Sequence, residues 1–247
     1  MKTFTLCVFL ITMITCFLAW RFAKKTVKEK GKRTMVYLCH LGISLAAAFC
    51  VRFLQYKAPT EVFGTAVLKF CASLPTVLLA WEGYRIEKNR FDKLILTAIV
   101  LGMFADIAIN ISTPLGAFFF GIGHIFYMHA FFKEKRPSKR QTLLSVSLCI
   151  FTAAILYFVS SRLSSIFLYL LACIYLSILI CTTVFASNMK RNVFIASLVF
   201  ALSDLLLIIN ILIPTGFFAK LFALWVYYLS LILYGISIWE NEYPELN

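Results

Sequence analysis

The sequence predicts an all-α protein, a polytopic transmembrane helical bundle of about nine spans, with the N-terminus outside or lumenal and the C-terminus cytoplasmic. Three observations carry this prediction. Of the 247 residues, 62% are hydrophobic and only 14% charged, whereas soluble domains average about 45–50% apolar and about 25% charged. The excess lies in long runs of the length a helix needs to cross a bilayer. Those runs lack the period-two alternation of a transmembrane barrel, and helices satisfy their own backbone hydrogen bonds in lipid. The cations, finally, fall into alternate connections, as the positive-inside rule describes.

The nine expected spans are 3–20, 35–53, 62–81, 93–111, 115–132, 142–160, 165–187, 193–210 and 217–239. Lys2 before the first run resembles the start of a signal peptide. However, the run continues through Phe17-Leu18-Ala19-Trp20, a basic cluster follows, and no small-x-small cleavage pattern precedes that cluster. A retained anchor is therefore expected. Connections 21–34, 82–93, 133–141 and 188–192 together hold 18 of the 24 Lys and Arg. The other side has only Lys2, Arg52, Lys57, Arg162 and Lys220, and Lys69 lies within a span. This organisation reads as an anchor helix and basic cytoplasmic loop over 1–34, an eight-span bundle over 35–240, and an acidic tail, 241–247.

A net charge of +13 would suit nucleic acid, but no soluble basic domain exists to make the phosphate contacts. The eight cysteines all lie in apolar runs without a CxxC pair. They read as small hydrophobes, with neither a disulfide framework nor a zinc site indicated.

The residues that could carry chemistry stand out against this apolar background. Asp106 and Asp204 each lie inside an expected span, near mid-membrane or somewhat toward the outer side. A carboxyl there costs roughly 2.5–3.5 kcal/mol on insertion scales, and such residues usually serve function. FADIAINISTPLGAFFF and ALSDLLLIINILIPTGFF share an Asp, an Asn and a Pro-x-Gly segment. Two parallel four-helix halves would produce this relation; chance likeness between apolar runs is the alternative. If the two parent helices are neighbours, both carboxylates can face one cavity. Two buried carboxyls that share a site divide into a protonated and an ionised group, which gives a general acid beside a general base.

Other polar residues are less decisive. His124 shares a helical face with Phe120 and Tyr127 and reads equally as a packing residue or a site residue. His129 sits near a span end, at the interface. Lys69 needs a partner, either an aspartate or a substrate phosphate. Pro75 should kink its helix and help open a cavity. Asn210 closes the eighth span. Tyr227 and Tyr228 are cavity hydroxyls or plain core. No HExxH-type pair supports a metal site, and no cofactor is expected.

At these residues the chain resembles the YhhN-like family of integral membrane proteins, which includes the lysoplasmalogenases. The resemblance rests on LKFCASLPTVLLAWEG, FADIAI, GAFFFGIGHIFYMHAF, FALSDLLLIIN and WVYYLSLIL, in the family's order over roughly 35–240. Ala105 stands where the family usually has Gly, and Ser230 where members often have an amide or His. The family has eight spans, so residues 3–20 look like an added helix. The resemblance implies hydrolysis of the vinyl ether bond of lysoplasmalogens to a fatty aldehyde and glycerophospho-ethanolamine or -choline. It further implies Asp106 and Asp204 as catalytic carboxylates, with Lys69, His124, Tyr127, Asn210, Tyr227 and Tyr228 around the substrate. The implied partners are a lysophospholipid, water and membrane lipids. An endoplasmic reticulum membrane suits an animal-like member and the cell membrane a bacterial one. A transporter or lipid-binding protein that uses the same Asp pair is the alternative.

Overall fold

A computed structural model of the chain describes residues 2–26, 30–159, 166–213 and 215–240. Among these residues the chain forms nine α-helices and no strand. They are α1 (Lys2–Thr26), α2 (Lys30–Lys57), α3 (Val62–Glu87), α4 (Arg90–Ala108), α5 (Thr113–Glu134), α6 (Lys139–Val159), α7 (Ile166–Ala186), α8 (Arg191–Leu212) and α9 (Phe217–Glu240). Eight are long and apolar enough to cross a membrane. The exception is α4, which carries Arg90, Asp92, Lys93 and Asp106 in 19 residues. Lys28, Arg162, Pro214 and the acidic tail 241–247 lie outside the described residues.

The basic connections are shorter than expected, because helices continue past their apolar runs into Lys- and Arg-rich sequence, both good helix formers. Residues 21–26 and 30–34 are helical. Between α3 and α4 only Lys88 and Asn89 connect. Lys88 adopts the left-handed conformation at φ 52°. The Asn89 side chain accepts from the Asp92 backbone N–H at 2.7 Å and donates to the Asp92 carboxylate at 2.6 Å. That exchange satisfies a free donor at the start of α4. The other end of α4 comes early, at Ala108 rather than 111. Asn110 folds back to donate to the Asp106 carbonyl at 2.8 Å, and Ser112 caps α5 by accepting from Leu115 N–H. Instead of breaking at Pro75, α3 continues through it.

At the centre of the bundle is α9, which packs against α2, α3, α4 and α8. Its apolar window is 67% buried, against 11% for each of α6 and α7, which lie at the periphery. Trp239 and Tyr228 on α9 are among the largest fully buried side chains. Trp239 donates its indole N–H to the Leu79 carbonyl of α3 at 2.8 Å. Tyr127 of α5 stacks on Tyr234 of α9 with ring centroids 4.1 Å apart, and Tyr234 shares a hydrogen bond with Ser197 of α8. The α1 helix packs on α2 and α3. Trp20 of α1 donates to the buried Glu82 of α3, which also pairs with Arg85 at 3.0 Å. Packing of α3 on α9 is matched by packing of α7 on α5, the correspondence expected if one four-helix unit occurs twice.

The α4–α5 turn is the tightest approach near the two aspartates. A Cβ at Gly116 would lie 2.5 Å from Ile109 Cβ and 2.8 Å from its Cα. Overpacking of this kind costs about 1–3 kcal/mol. Gly116→Ala should therefore lower the melting temperature of the detergent-solubilised protein. Gly42→Ala, where an added Cβ meets nothing within 4 Å, should leave it equal or raise it.

Candidate active site

Asp106 and Asp204 are brought together by tertiary packing, though not in the way that neighbouring helices would do it. The closely packed helix pairs do not include α4 with α8; both instead pack against α9. The two carboxylates line one cavity of about 290 Å³. The cavity lies at the end of the bundle where α2, α4 and α8 finish and α9 begins. Asp106 is two residues before the end of α4, so it is in the last turn. The early stop at Ala108 causes this. Asp204 is eight residues before the end of α8, or roughly 12 Å at 1.5 Å per residue.

Both acids are buried, at 3% and 9% exposure, and each is held by hydroxyls. Asp106 Oδ2 accepts from Ser73 Oγ of α3 at 2.5 Å and from Tyr227 Oη of α9 at 3.0 Å. Tyr228 is a further electrostatic neighbour of Asp106 and Ser73, although its hydroxyl makes no bond of hydrogen-bonding geometry. Asp204 Oδ2 accepts from Tyr175 Oη of α7. The electrostatic surroundings of the two acids differ. Lys69 is a charged neighbour of Asp106, while Asp204 accepts from Tyr175 and the adjacent Ser203 hydroxyl donates to the Phe200 carbonyl at 2.7 Å.

The expected binding residues divide into two groups. Lys69, Asn210 and Tyr227 line the cavity with both aspartates. Asn210 also accepts a hydrogen bond from Thr215 Oγ1. His124 and Tyr127 do not reach the cavity; they line a separate void of about 10 Å³. Phe120 lines both spaces and so forms the partition between them. Inside the void the His124 ring meets the Phe200 ring edge-on at 4.5 Å, and neither ring nitrogen has a hydrogen-bond partner. Tyr228 is fully buried and is not among the residues that line the cavity. Ser230 bonds back to the Tyr227 carbonyl at 2.6 Å within α9. Among the described residues no three His, Cys, Asp or Glu side chains come close enough together to hold a metal.

Sequence reasoning missed several residues of this site. Ser73 lies four residues after Lys69, so helical spacing alone puts it on the Lys69 face. Tyr175 is one of 11 tyrosines and sits in an apolar run that gives it no distinguishing signal. Arg52 and Lys220 read as cations of the outer connections, yet both line the cavity.

Residues 64–237, most of the chain and both aspartates included, match the YhhN family. The chain belongs to the YhhN family. The match is narrower than the expected 35–240: α1 and α2 lie outside it, and it spans the bundle from the start of α3 to near the end of α9. No match was found among curated proteins or among solved structures. Within the YhhN region, then, lie the Asp106 cluster of α3, α4 and α9 and the Asp204 cluster of α7 and α8.

The two donors on Asp106 act on one oxygen, so their contributions should couple. Loss of a hydrogen bond to a buried charged group costs about 1–3 kcal/mol. Ser73→Ala and Tyr227→Phe should each lower the unfolding midpoint in detergent, and the double variant should depart from the sum of the two.

Proposed function

We propose that this YhhN-family protein is a membrane-embedded hydrolase of lysoplasmalogens, cleaving the vinyl ether to a fatty aldehyde and a glycerophospho-ethanolamine or -choline. The observation that carries the reading is the presence of two buried carboxyls, each held by hydroxyl donors, on the wall of one cavity. Cleavage of a vinyl ether begins with protonation of its β-carbon, which leaves an oxocarbenium ion. Water adds to that cation, and the hemiacetal collapses to aldehyde and alcohol. The first step needs a neutral carboxylic acid. The second needs a carboxylate that faces the cation and takes a proton from water.

The surroundings of the two acids support a division of roles. Lys69 balances a negative charge on Asp106, which suits the carboxylate that stabilises the cation and activates water. Asp204 accepts from the neutral Tyr175 hydroxyl, which suits the acid. Ser73, Tyr227 and Tyr175 are positioning residues that hold the two carboxyl groups. A cavity of about 290 Å³ is at the small end of ligand sites. It accommodates the headgroup, glycerol and start of the alkenyl chain, and leaves the tail in lipid. In the orientation that the cations predict, this cavity belongs to the outer or lumenal half of the membrane.

The purified protein should release aldehyde from lysoplasmalogen. Asp106→Asn and Asp204→Asn should each reduce the rate by roughly 10²–10⁴-fold, the range of general acid–base catalysis. An inert wild type, or full activity in both variants, would overturn the reading. Movement of intact lipid across proteoliposomes without aldehyde release would support transport in its place.

A further inference from the structure

The cavity that holds the two aspartates also holds three cations: Arg52 of α2, Lys69 of α3 and Lys220 of α9. With both aspartates ionised the wall carries one excess positive charge. With one protonated, as the acid step requires, the excess is two. Lys69 lies close enough to interact electrostatically with both Arg52 and Asp106. Like charges gathered in a site of reduced dielectric repel, and the cost is relieved by an anion bound among them.

Neither Arg52 nor Lys220 is explained by a partner within the protein. Among the described residues neither pairs with a carboxylate. One Arg52 amino group donates to the neutral Gln55 carboxamide at 2.9 Å. Its Nε is buried from solvent and donates to nothing. A guanidinium that merely snorkelled to the interface would keep that N–H in water. Arg52 instead presents an orphaned donor at a cavity wall, and a buried donor without a partner costs free energy. A guanidinium fork beside an ammonium is the donor set that phosphate oxygens take.

Position agrees with chemistry. Arg52 is five residues from the end of α2 and Lys220 three residues from the start of α9. By the same count Asp106 is two residues from the end of α4 and Asp204 eight from the end of α8, so both acids share this end of the bundle, and its cavity, with the two cations. A lipid that enters with its headgroup at this end and its ether bond at the aspartates would place its phosphate beside them, since only glycerol separates the two groups.

We infer that Arg52 and Lys220 form an anion subsite that binds the phosphodiester of the lipid headgroup and sets the substrate's depth in the cavity. This rests on the lysophospholipid reading above. It also gives α2, which lies outside the YhhN match, a part in the site.

The test is binding, which does not depend on hydrolysis. A saturated alkyl-ether lysophosphocholine and the matching alkylglycerol, which lacks phosphate, are titrated against purified protein in neutral detergent. Wild type should bind the phosphate-bearing lipid at least about tenfold more tightly, the worth of one charge-assisted bond. Arg52→Gln with Lys220→Gln should abolish that preference while alkylglycerol affinity stays the same. Arg52→Lys with Lys220→Arg should restore most of it, which separates lost charge from lost folding. The inference is overturned by a preference that survives in the double Gln variant, or by no preference in wild type. It is also overturned if inorganic phosphate alone binds as tightly as the lipid, because the site would then serve a free anion. Failure of aldehyde release with this binding pattern intact would instead fall on the hydrolase reading.

Discussion

One carboxylate oxygen ties three helices together. Asp106 Oδ2 belongs to α4, and its two donors belong to α3 and α9. In a bilayer such a group has no water to fall back on, so its partners must come from the protein. Meeting that demand brings the last turn of α4 against the central helix and leaves Lys69, one turn before Ser73, beside the same acid. The Asp204 cluster repeats the solution more simply, with a single tyrosine from the preceding helix. The rest of the bundle supplies walls around these two satisfied acids.

Satisfaction is uneven across the molecule, and the unevenness is informative. The acids have hydroxyl donors and one has a cation nearby. Among the described residues Arg52 and Lys220 form no salt bridge with a carboxylate. A membrane protein gains nothing from surplus charge in a cavity unless something of opposite charge visits it. An anion bound at the proposed subsite would offset that surplus. By contrast, the His124 void is closed off by Phe120 and lined mostly by aromatic rings and small residues. Its polar atoms lie apart from the cavity that holds the two aspartates.

Helical class and the two unusual acids were legible in the residues, because each follows from local composition and the cost of charge in lipid; of the nine expected spans, eight helices are long and apolar enough to cross a membrane. Helix ends were less so. Lys and Arg beyond the apolar runs continue the helices, while Asn110 and Ser112 stop α4 early by capping it. That early stop puts Asp106, expected near mid-membrane or somewhat toward the outer side, in the final turn of α4. Arg52 and Lys220 were legible as cations but not as cavity residues. Which way a side chain near a helix end faces is set by the helices around it.

The sequence by itself determined that this is a helical membrane protein of the YhhN type with two carboxyls set in apolar runs, since hydropathy and motif order are properties of the chain alone. Only the tertiary structure decided that the two acids share a cavity although their helices do not pack closely, that Ser73, Tyr227 and Tyr175 hold them, and that His124 stands apart. Those relations join residues 29 to 121 positions apart. They arise because α9 fills the centre of the bundle and draws α3, α4 and α8 around it.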